Sequence, residues 1–215
     1  FVVAGSPTAR RPRNVSPGAG DYVIAADRGA QHARAWGWPV HLIVGDLDSL
    51  PRHIADAEIV AGTRFVRVPA AKDETDTELA LRYALDVGAR TVVLCGALGG
   101  STDHLLANVL LLGRADLRGR DMCLAAGSET VRLLATAEGE ASARLELAGR
   151  AGDLLTLLPC DGDAEGVTTE HLLYPLHDEI LPRGSARGVS NVFTGEQAVI
   201  SLRQGALLVV HTCKE

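Results

Sequence analysis

Two rhythms of apolar residues divide the chain. In the first half, short unbroken apolar runs alternate with stretches of helical period. Val23-Ile24-Ala25-Ala26 reads as a buried strand, followed by a helix over about 29–37. Leu42-Ile43-Val44 is a second strand, and Phe65-Val66-Arg67-Val68 a third that Pro69 ends. Ser49 is placed to cap the helix that follows it, with Pro51 in the first turn, where a missing N–H does no harm. Thr75-Asp76-Thr77-Glu78 has capping-box spacing, which makes Glu78 the reciprocal partner of Thr75. The helix continues from Leu79 to Val87 and stops at Gly88. Thr91-Val92-Val93-Leu94-Cys95 is a further strand, leading into glycines and then an apolar helix over about 103–113. Phe1-Val2-Val3-Ala4-Gly5 is too short for a signal-peptide core and reads as a first strand. Continuous apolar strands alternating with helices predict a doubly wound, mostly parallel sheet covered on both faces.

The rhythm changes after about residue 120. Met122-Cys123-Leu124-Ala125 fits a last strand of that sheet. Short runs broken by Gly, Pro and Asp follow: Val131–Leu134, Ala143–Leu147, Leu154–Leu158, Val167–Thr169, Ala198–Leu202 and Leu207–Val210. Their spacing, without a long helical pattern between them, predicts an antiparallel sandwich or small barrel. The expected organisation is an α/β domain over 1–130 and a C-terminal antiparallel β-sandwich over 131–215, with the boundary near 126–140. Residues 7–20, rich in Pro, Gly and Arg, read as a loop.

Composition narrows the function classes. With 215 residues, 47% hydrophobic and 22% charged, the chain can bury a core without a disulfide or metal staple, and disorder is excluded for most of it. A net charge of −6 argues against binding nucleic acid through a broad basic surface. No stretch approaches the roughly 20 apolar residues that cross a bilayer, so no membrane role is expected. Cys95, Cys123, Cys160 and Cys213 are scattered, and read as free thiols of a reducing cytoplasm.

Candidate chemistry gathers where the predicted strands end, which is where a doubly wound sheet binds ligands. One strand runs into Gly45-Asp46-Leu47-Asp48-Ser49, another leads to Lys72-Asp73-Glu74-Thr75-Asp76-Thr77-Glu78, and a third ends at Asp27-Arg28-Gly29. Residues 45–78 hold eight acids (Asp46, Asp48, Asp56, Glu58, Asp73, Glu74, Asp76, Glu78) against four bases (Arg52, Arg64, Arg67, Lys72), a local charge of −4. Crowded carboxylates repel, and a divalent cation removes that cost. Carboxylate oxygens suit Mg²⁺, which takes one or two of them together with substrate phosphates and waters. Asp46, Asp48, Asp73 and Asp76 are the candidate ligands. Some of these acids also have purely structural readings: Asp48 as a turn cap, Asp76 as a favourable first-turn charge. No thiolate or histidine cluster competes and no H-E-x-x-H motif occurs, which argues against zinc.

The loop Gly96-Ala97-Leu98-Gly99-Gly100 follows a strand and opens the helix that contains Ser101, Asp103 and His104. Such a loop lets backbone N–H groups approach an anion at a helix N-terminus. It matches neither the P-loop nor the G-x-G-x-x-G spacing. Phosphate and Mg²⁺ together point to a nucleoside triphosphate.

At these residues the sequence resembles the thiamine pyrophosphokinase (thiamine diphosphokinase) family. The resemblance rests on four blocks in order: Asp27-Arg28-Gly29, Gly45 to Ser49, Lys72 to Glu78, and Gly96 to His104 with Asn108. It continues in the second half through Val167-Thr168-Thr169, Leu173-Tyr174-Pro175-Leu176, Gly188-Val189-Ser190-Asn191 and Gly205 to Val210, so that it spans about 22–210. The resemblance implies transfer of a pyrophosphoryl group from ATP to the hydroxyl of thiamine, releasing AMP. It implies a homodimer with the active site at the interface, nucleotide on the α/β domain and thiamine toward the partner's sandwich. It makes Asp46, Asp48 and Asp76 the Mg²⁺-linked acids with Asp73 beside them, and Asp27 the acid of the first block. Gly99 and Gly100 then approach phosphate, Asp103 lies near substrate, and Ser190 and Asn191 belong to the thiamine end, with Tyr174 as an aromatic neighbour.

Two positions depart from the family pattern. Arg28 stands where a glycine is usual, and would be strained if that position needs a positive φ. Ser101 stands where an arginine is usual, which removes a charge-assisted phosphate contact and leaves Arg28 or Lys72 to supply the charge. The departures keep two rivals open: a thiamine or thiamine-diphosphate binding protein without catalysis, and a diphosphokinase acting on another alcohol such as a pterin.

Overall fold

The computed structural model describes residues 1–117 and 119–214. The chain forms two compact units, Phe1–Gly127 and Ser128–Glu215.

In the first unit six strands form one parallel sheet: β1 (Val2–Val3), β2 (Ile24–Ala26), β3 (Leu42–Gly45), β4 (Arg64–Arg67), β5 (Thr91–Cys95) and β6 (Asp121–Ala126). Their spatial order is β6-β5-β1-β2-β3-β4, and every pairing is parallel. β1, β2 and β3 are buried at every position, which is why their sequence shows no polar alternation. Four helices alternate with the strands: α1 (Gly29–Ala35), α2 (Arg52–Val60), α3 (Asp76–Asp86) and α4 (Thr102–Leu110). One apolar cluster packs Val3, Val93, Cys95 and Cys123 with Ala33, Trp36 and Trp38, and another packs Ala25 and Ile43 with Ala30, Leu50 and Ile54. α3 supplies Leu79, Ala80 and Leu81 to the interior. The chain winds from β1 out to β4, then returns to β5 on the other side of β1. The switch point therefore lies between β1 and β5.

The second unit is antiparallel throughout. β7 (Glu129–Ala135), β9 (Leu154–Pro159), β12 (Asn191–Val192) and β14 (Ala206–Thr212) form one sheet, in the order β12-β9-β14-β7. β8 (Ala143–Ala148), β10 (Ala164–Glu170), β11 (Glu179–Leu181) and β13 (Gln197–Leu202) form the other, in the order β11-β10-β13-β8. Leu134, Leu155, Leu157, Leu207 and Val209 from the first sheet meet Leu147, Val167, Leu181, Ile200 and Leu202 from the second in one core. The unit is thus a sandwich.

The structure corrects several local expectations. Pro51, not Ser49, is the N-cap of α2, and no side chain caps it. Ser49 instead donates its hydroxyl to the Asp27 carboxylate. The capping box at α3 is half formed: Thr75 Oγ1 accepts from the Glu78 N–H at 3.1 Å, but the Glu78 carboxylate turns to Arg114. The apolar helix expected to reach 113 ends its regular turns at Leu110 and finishes as a 3-10 turn, Leu111–Gly113. Arg28 is not strained. It has φ −55°, and the residue with positive φ is its neighbour Asp27, at 44°. β11 and β12 were not anticipated; at three and two residues they are too short to carry a pattern. None of the four cysteines is in a disulfide, and Cys95 and Cys123 are buried. Among the described residues no helix is long and apolar enough to cross a membrane.

Candidate active site

A cleft of about 640 Å³ opens at the carboxyl ends of the parallel strands. Its walls come from the segments that follow successive strands: Ala4–Pro7 after β1, Ala26–Arg28 at β2, Asp46 and Ser49 after β3, Ala70, Lys72 and Glu74–Thr77 before and within α3, and Gly99–Ser101 with His104 and Asn108 at α4. All belong to the first unit.

Three carboxylates converge there. One oxygen each from Asp27, Asp46 and Asp76 lies within 4.8 Å of the others. The convergence follows from the sheet. Asp27 and Asp46 end neighbouring parallel strands, and Gly45 brings the two backbones together, since a Cβ at Gly45 would stand 2.9 Å from the Cβ of Asp27. Asp76 opens α3 from the far side, where the helix N-terminus favours its charge.

The three acids differ electrostatically. Asp27 is buried, and desolvation pushes its carboxyl up to about 6, against the Arg28 backbone N–H and with the neighbouring charges of Asp76, Asp46 and Asp48 adding to the rise. Its Oδ2 accepts from Ser49, while its Oδ1 is buried with no hydrogen-bond partner. Asp46 is held below the usual range, chiefly by the Asp48 N–H, which donates to its Oδ1 at 3.1 Å. Asp76 pairs with Lys72, whose Nζ is 2.9 Å from Oδ1. Desolvation works to lower the Lys72 ammonium, but Asp76, with Asp46 and Asp27 behind it, outweighs this and raises it. A buried carboxylate oxygen without a partner, between two further carboxylates, suits a hard divalent cation with oxygen ligands. The trio fits Mg²⁺.

Opposite the acids stands the glycine loop. Gly99 has φ +110°, and a Cβ there would lie 2.4 Å from Thr8 Oγ1. Thr8 Oγ1 in turn accepts from the Gly100 N–H at 2.9 Å, so the loop is fixed by the segment after β1. Gly99→Ala is therefore expected to displace this loop and raise the KM for nucleotide at least about tenfold with the sheet intact, read by steady-state kinetics and circular dichroism. Ser101 is the N-cap of α4, in extended conformation, with Oγ 3.0 Å from His104 Nδ1. Asp103 is exposed and outside the cleft lining. Its carboxyl is held low by Ser101 first and then by the His104 backbone N–H.

The sequence-predicted residues thus divide. Asp27, Asp46, Lys72, Asp76, Gly99, Gly100 and Ser101 line the cleft, and Asp48, Asp73 and Asp103 do not. Ser190 and Asn191 belong to the second unit. Ser190 has φ +59° and donates its N–H to Thr156 Oγ1 at 2.9 Å. Asn191 clamps the Tyr174 backbone from both sides, accepting from its N–H at 3.0 Å and donating to its carbonyl at 2.7 Å. Ser49 and the Ser6–Thr8 segment were missed as site residues, because a serine after a strand and a loop of small residues carry no motif. Arg114, also unforeseen, ties the first turn of α3 through Glu78 to the segment after α4, and pairs with Asp116 at 2.8 Å.

A parallel sheet with a carboxylate trio and a glycine loop at its strand ends, on a chain that also carries an antiparallel sandwich, defines a two-unit protein of the doubly wound α/β class joined to a β-sandwich. The profile "Thiamin pyrophosphokinase, catalytic domain" matches residues 18–124, and "Thiamin pyrophosphokinase, vitamin B1 binding domain" matches residues 143–207. The chain belongs to the thiamin pyrophosphokinase family. A thiamine pyrophosphokinase of Bacillus subtilis is 24% identical over 168 residues, 78% of this chain and 76% of that protein. The crystal structure of thiamine pyrophosphokinase from Bacillus subtilis superposes with a TM-score of 0.87 at 21% identity, covering 100% of this chain and 98% of that one. A thiamin pyrophosphokinase family protein from Enterococcus faecalis gives 0.80 at 29% identity, with the same two coverages.

Proposed function

We propose that this chain is a transferase that moves the pyrophosphoryl group of ATP to the hydroxyl of thiamine, giving thiamine diphosphate and AMP. The observation that carries this reading is the convergence of Asp27, Asp46 and Asp76 beside Lys72, in a cleft that the glycine loop closes on its other side. Asp27, Asp46 and Asp76 would hold Mg²⁺, which when bound neutralises charge on the triphosphate. Lys72 and Arg28 are the cations in the cleft lining, and take over the charge that Ser101 does not supply. The α4 N-terminus adds the partial positive charge of its backbone N–H groups.

Attack falls at the β-phosphorus, since two phosphates move together. The thiamine oxygen bonds to that phosphorus as its bond to the oxygen bridging the α-phosphate breaks. AMP leaves with the electron pair, and the hydroxyl proton passes to solvent. Such a transition state needs positioning and charge neutralisation more than a strong base. This suits a site in which Asp103 is tied to Ser101 and His104. Thiamine is itself a cation, and the acidic cleft favours it. The homodimer, an active site at its interface with Ser190 and Asn191 toward thiamine, and a cytoplasmic setting for the free thiols belong to the same proposal.

Mass spectrometry of a reaction with ATP, Mg²⁺ and thiamine tests it. Thiamine diphosphate and AMP in equal amounts, abolished by a chelator, are expected. Thiamine binding without AMP would favour a non-catalytic binding protein, and turnover only with another alcohol would replace the acceptor.

The raised carboxyl of Asp27 gives the site a pH dependence. An acid that ionises near pH 6 must lose a proton before it can hold a cation. Mg²⁺ affinity, measured calorimetrically on the protein alone, is expected to fall by about tenfold per pH unit below that value and to level off above it. Affinity that is flat across this range would remove Asp27 from the cation site.

A further inference from the structure

The second unit brings three metal-binding side chains to one point, in a place the sequence does not reveal. Along β14, alternate residues Leu207, Val209 and His211 are buried. Cys213, two residues past His211, shares that parity and projects from the same face. On the neighbouring strand His211 pairs with Leu155 and Thr212 with Leu154, so the next step of the same register sets Cys213 against Asp153. His211 Nε2 lies 3.0 Å from Asp153 Oδ2 and 3.8 Å from Cys213 Sγ, and all three donor atoms lie within 4.8 Å of one another.

The choice of nitrogen discriminates between two chemistries. In a nucleophilic relay the thiol and the carboxylate engage opposite nitrogens of the imidazole, so that a proton passes through the ring. Here both face Nε2, and no relay exists. Three donors facing one point are what a coordinated cation requires. Tetrahedral zinc, with bonds of about 2.0–2.3 Å, sets its ligand atoms roughly 3.3–3.6 Å apart, between the two separations seen here.

The surroundings are those of an oriented ligand set. Asp153 is almost wholly buried, with its oxygens fixed by the Arg150 N–H at 3.0 Å and the Lys214 N–H at 2.9 Å. Burial works to raise the Asp153 carboxyl, but those N–H groups and His211 outweigh it and keep it ionised. Phe193 stacks on the His211 ring at 4.8 Å. Cys213 is half-buried. Hydrogen bonds that orient a ligating carboxylate are a regular part of metal sites.

We propose that Asp153, His211 and Cys213 form a three-ligand site for a borderline-soft divalent metal of the zinc type, its fourth position open to water. Thiolate and imidazole select against Mg²⁺, so this site and the acid trio of the first unit take different metals. Binding displaces the Cys213 thiol proton to solvent.

Metal-free full-length protein titrated with Co²⁺ in excess Mg²⁺ tests the proposal. One Co²⁺ per chain is expected, with tetrahedral visible bands and a near-ultraviolet thiolate-to-cobalt band that Zn²⁺ bleaches. Cys213→Ser is expected to lose the thiolate band and bind at least about tenfold more weakly. Zn²⁺ is expected to raise the melting temperature of the wild-type protein and not of the variant. Absence of the thiolate band in the wild-type protein overturns the proposal whether or not the variant folds, and so does a band that persists unchanged in Cys213→Ser.

Discussion

Asp46→Asn is expected to lower thiamine diphosphate formation by about 10³-fold while the fold persists. The variant keeps the shape of the side chain, and its amide oxygen can still accept the Asp48 N–H that the carboxylate holds at 3.1 Å. What it loses is one of three converging charges. Asp46 stands half-buried after β3, so the change does not disturb the core. Steady-state kinetics against circular dichroism separates the two effects. A fall of less than about fivefold would show that Asp46 lies outside the cation site.

Asp27→Asn is expected to make the protein more stable and much less active. The Asp27 carboxyl is pushed up to about 6 by burial, from an ordinary value of 3.8. An acid whose folded value is raised costs nothing below its unfolded value, where both states are protonated. The cost builds as pH rises from the unfolded value to the folded one, where the unfolded chain has released a proton that the folded state still holds, and it is fully present above the folded value. Removing the charge relieves that cost. At about pH 7.5, without metal, the variant is expected to gain about 1–3 kcal/mol in chemical denaturation, and the gain is expected to vanish as pH falls toward 4. Asparagine is also among the few residues that accept the φ of 44° found there, and its carbonyl can still receive the Ser49 hydroxyl. A gain independent of pH would assign the effect to packing rather than to charge. Stability given up where function needs a buried charge is a common pattern in active sites.

The sequence carries the α/β alternation well, because strands buried on both faces leave runs such as Leu42-Ile43-Val44 that no other element explains. It carries the location of the candidate cleft for the same reason, since strand ends are legible and the cleft opens there. It does not say which acids meet. Eight acids in residues 45–78 look alike as a charge count. In the fold Glu58 is buried and bonded to Thr63 at 2.6 Å, Glu74 pairs with Arg82 at 2.7 Å and Glu78 with Arg114. Convergence is set by strand register, which placed Asp27 beside Asp46 although 19 positions separate them. The Ser49 expectation failed through competition: a buried carboxylate needs a donor more than a helix start already accommodated by Pro51 needs a cap. The grouping of Asp153 with His211 and Cys213 was invisible for a similar reason, since 58 positions separate Asp153 from His211 and only an antiparallel ladder closes them.

The tie that Arg114 makes to Glu78 braces one wall of the cleft. Glu78 lies one half-turn from Asp76 at the start of α3, while Arg114 follows the 3-10 turn at the far, C-terminal end of the helix that Ser101 opens. The guanidinium thus tethers the start of α3 to the C-terminal end of α4, so the turn that carries Asp76 is held by the segment after α4 as well as by its own helix.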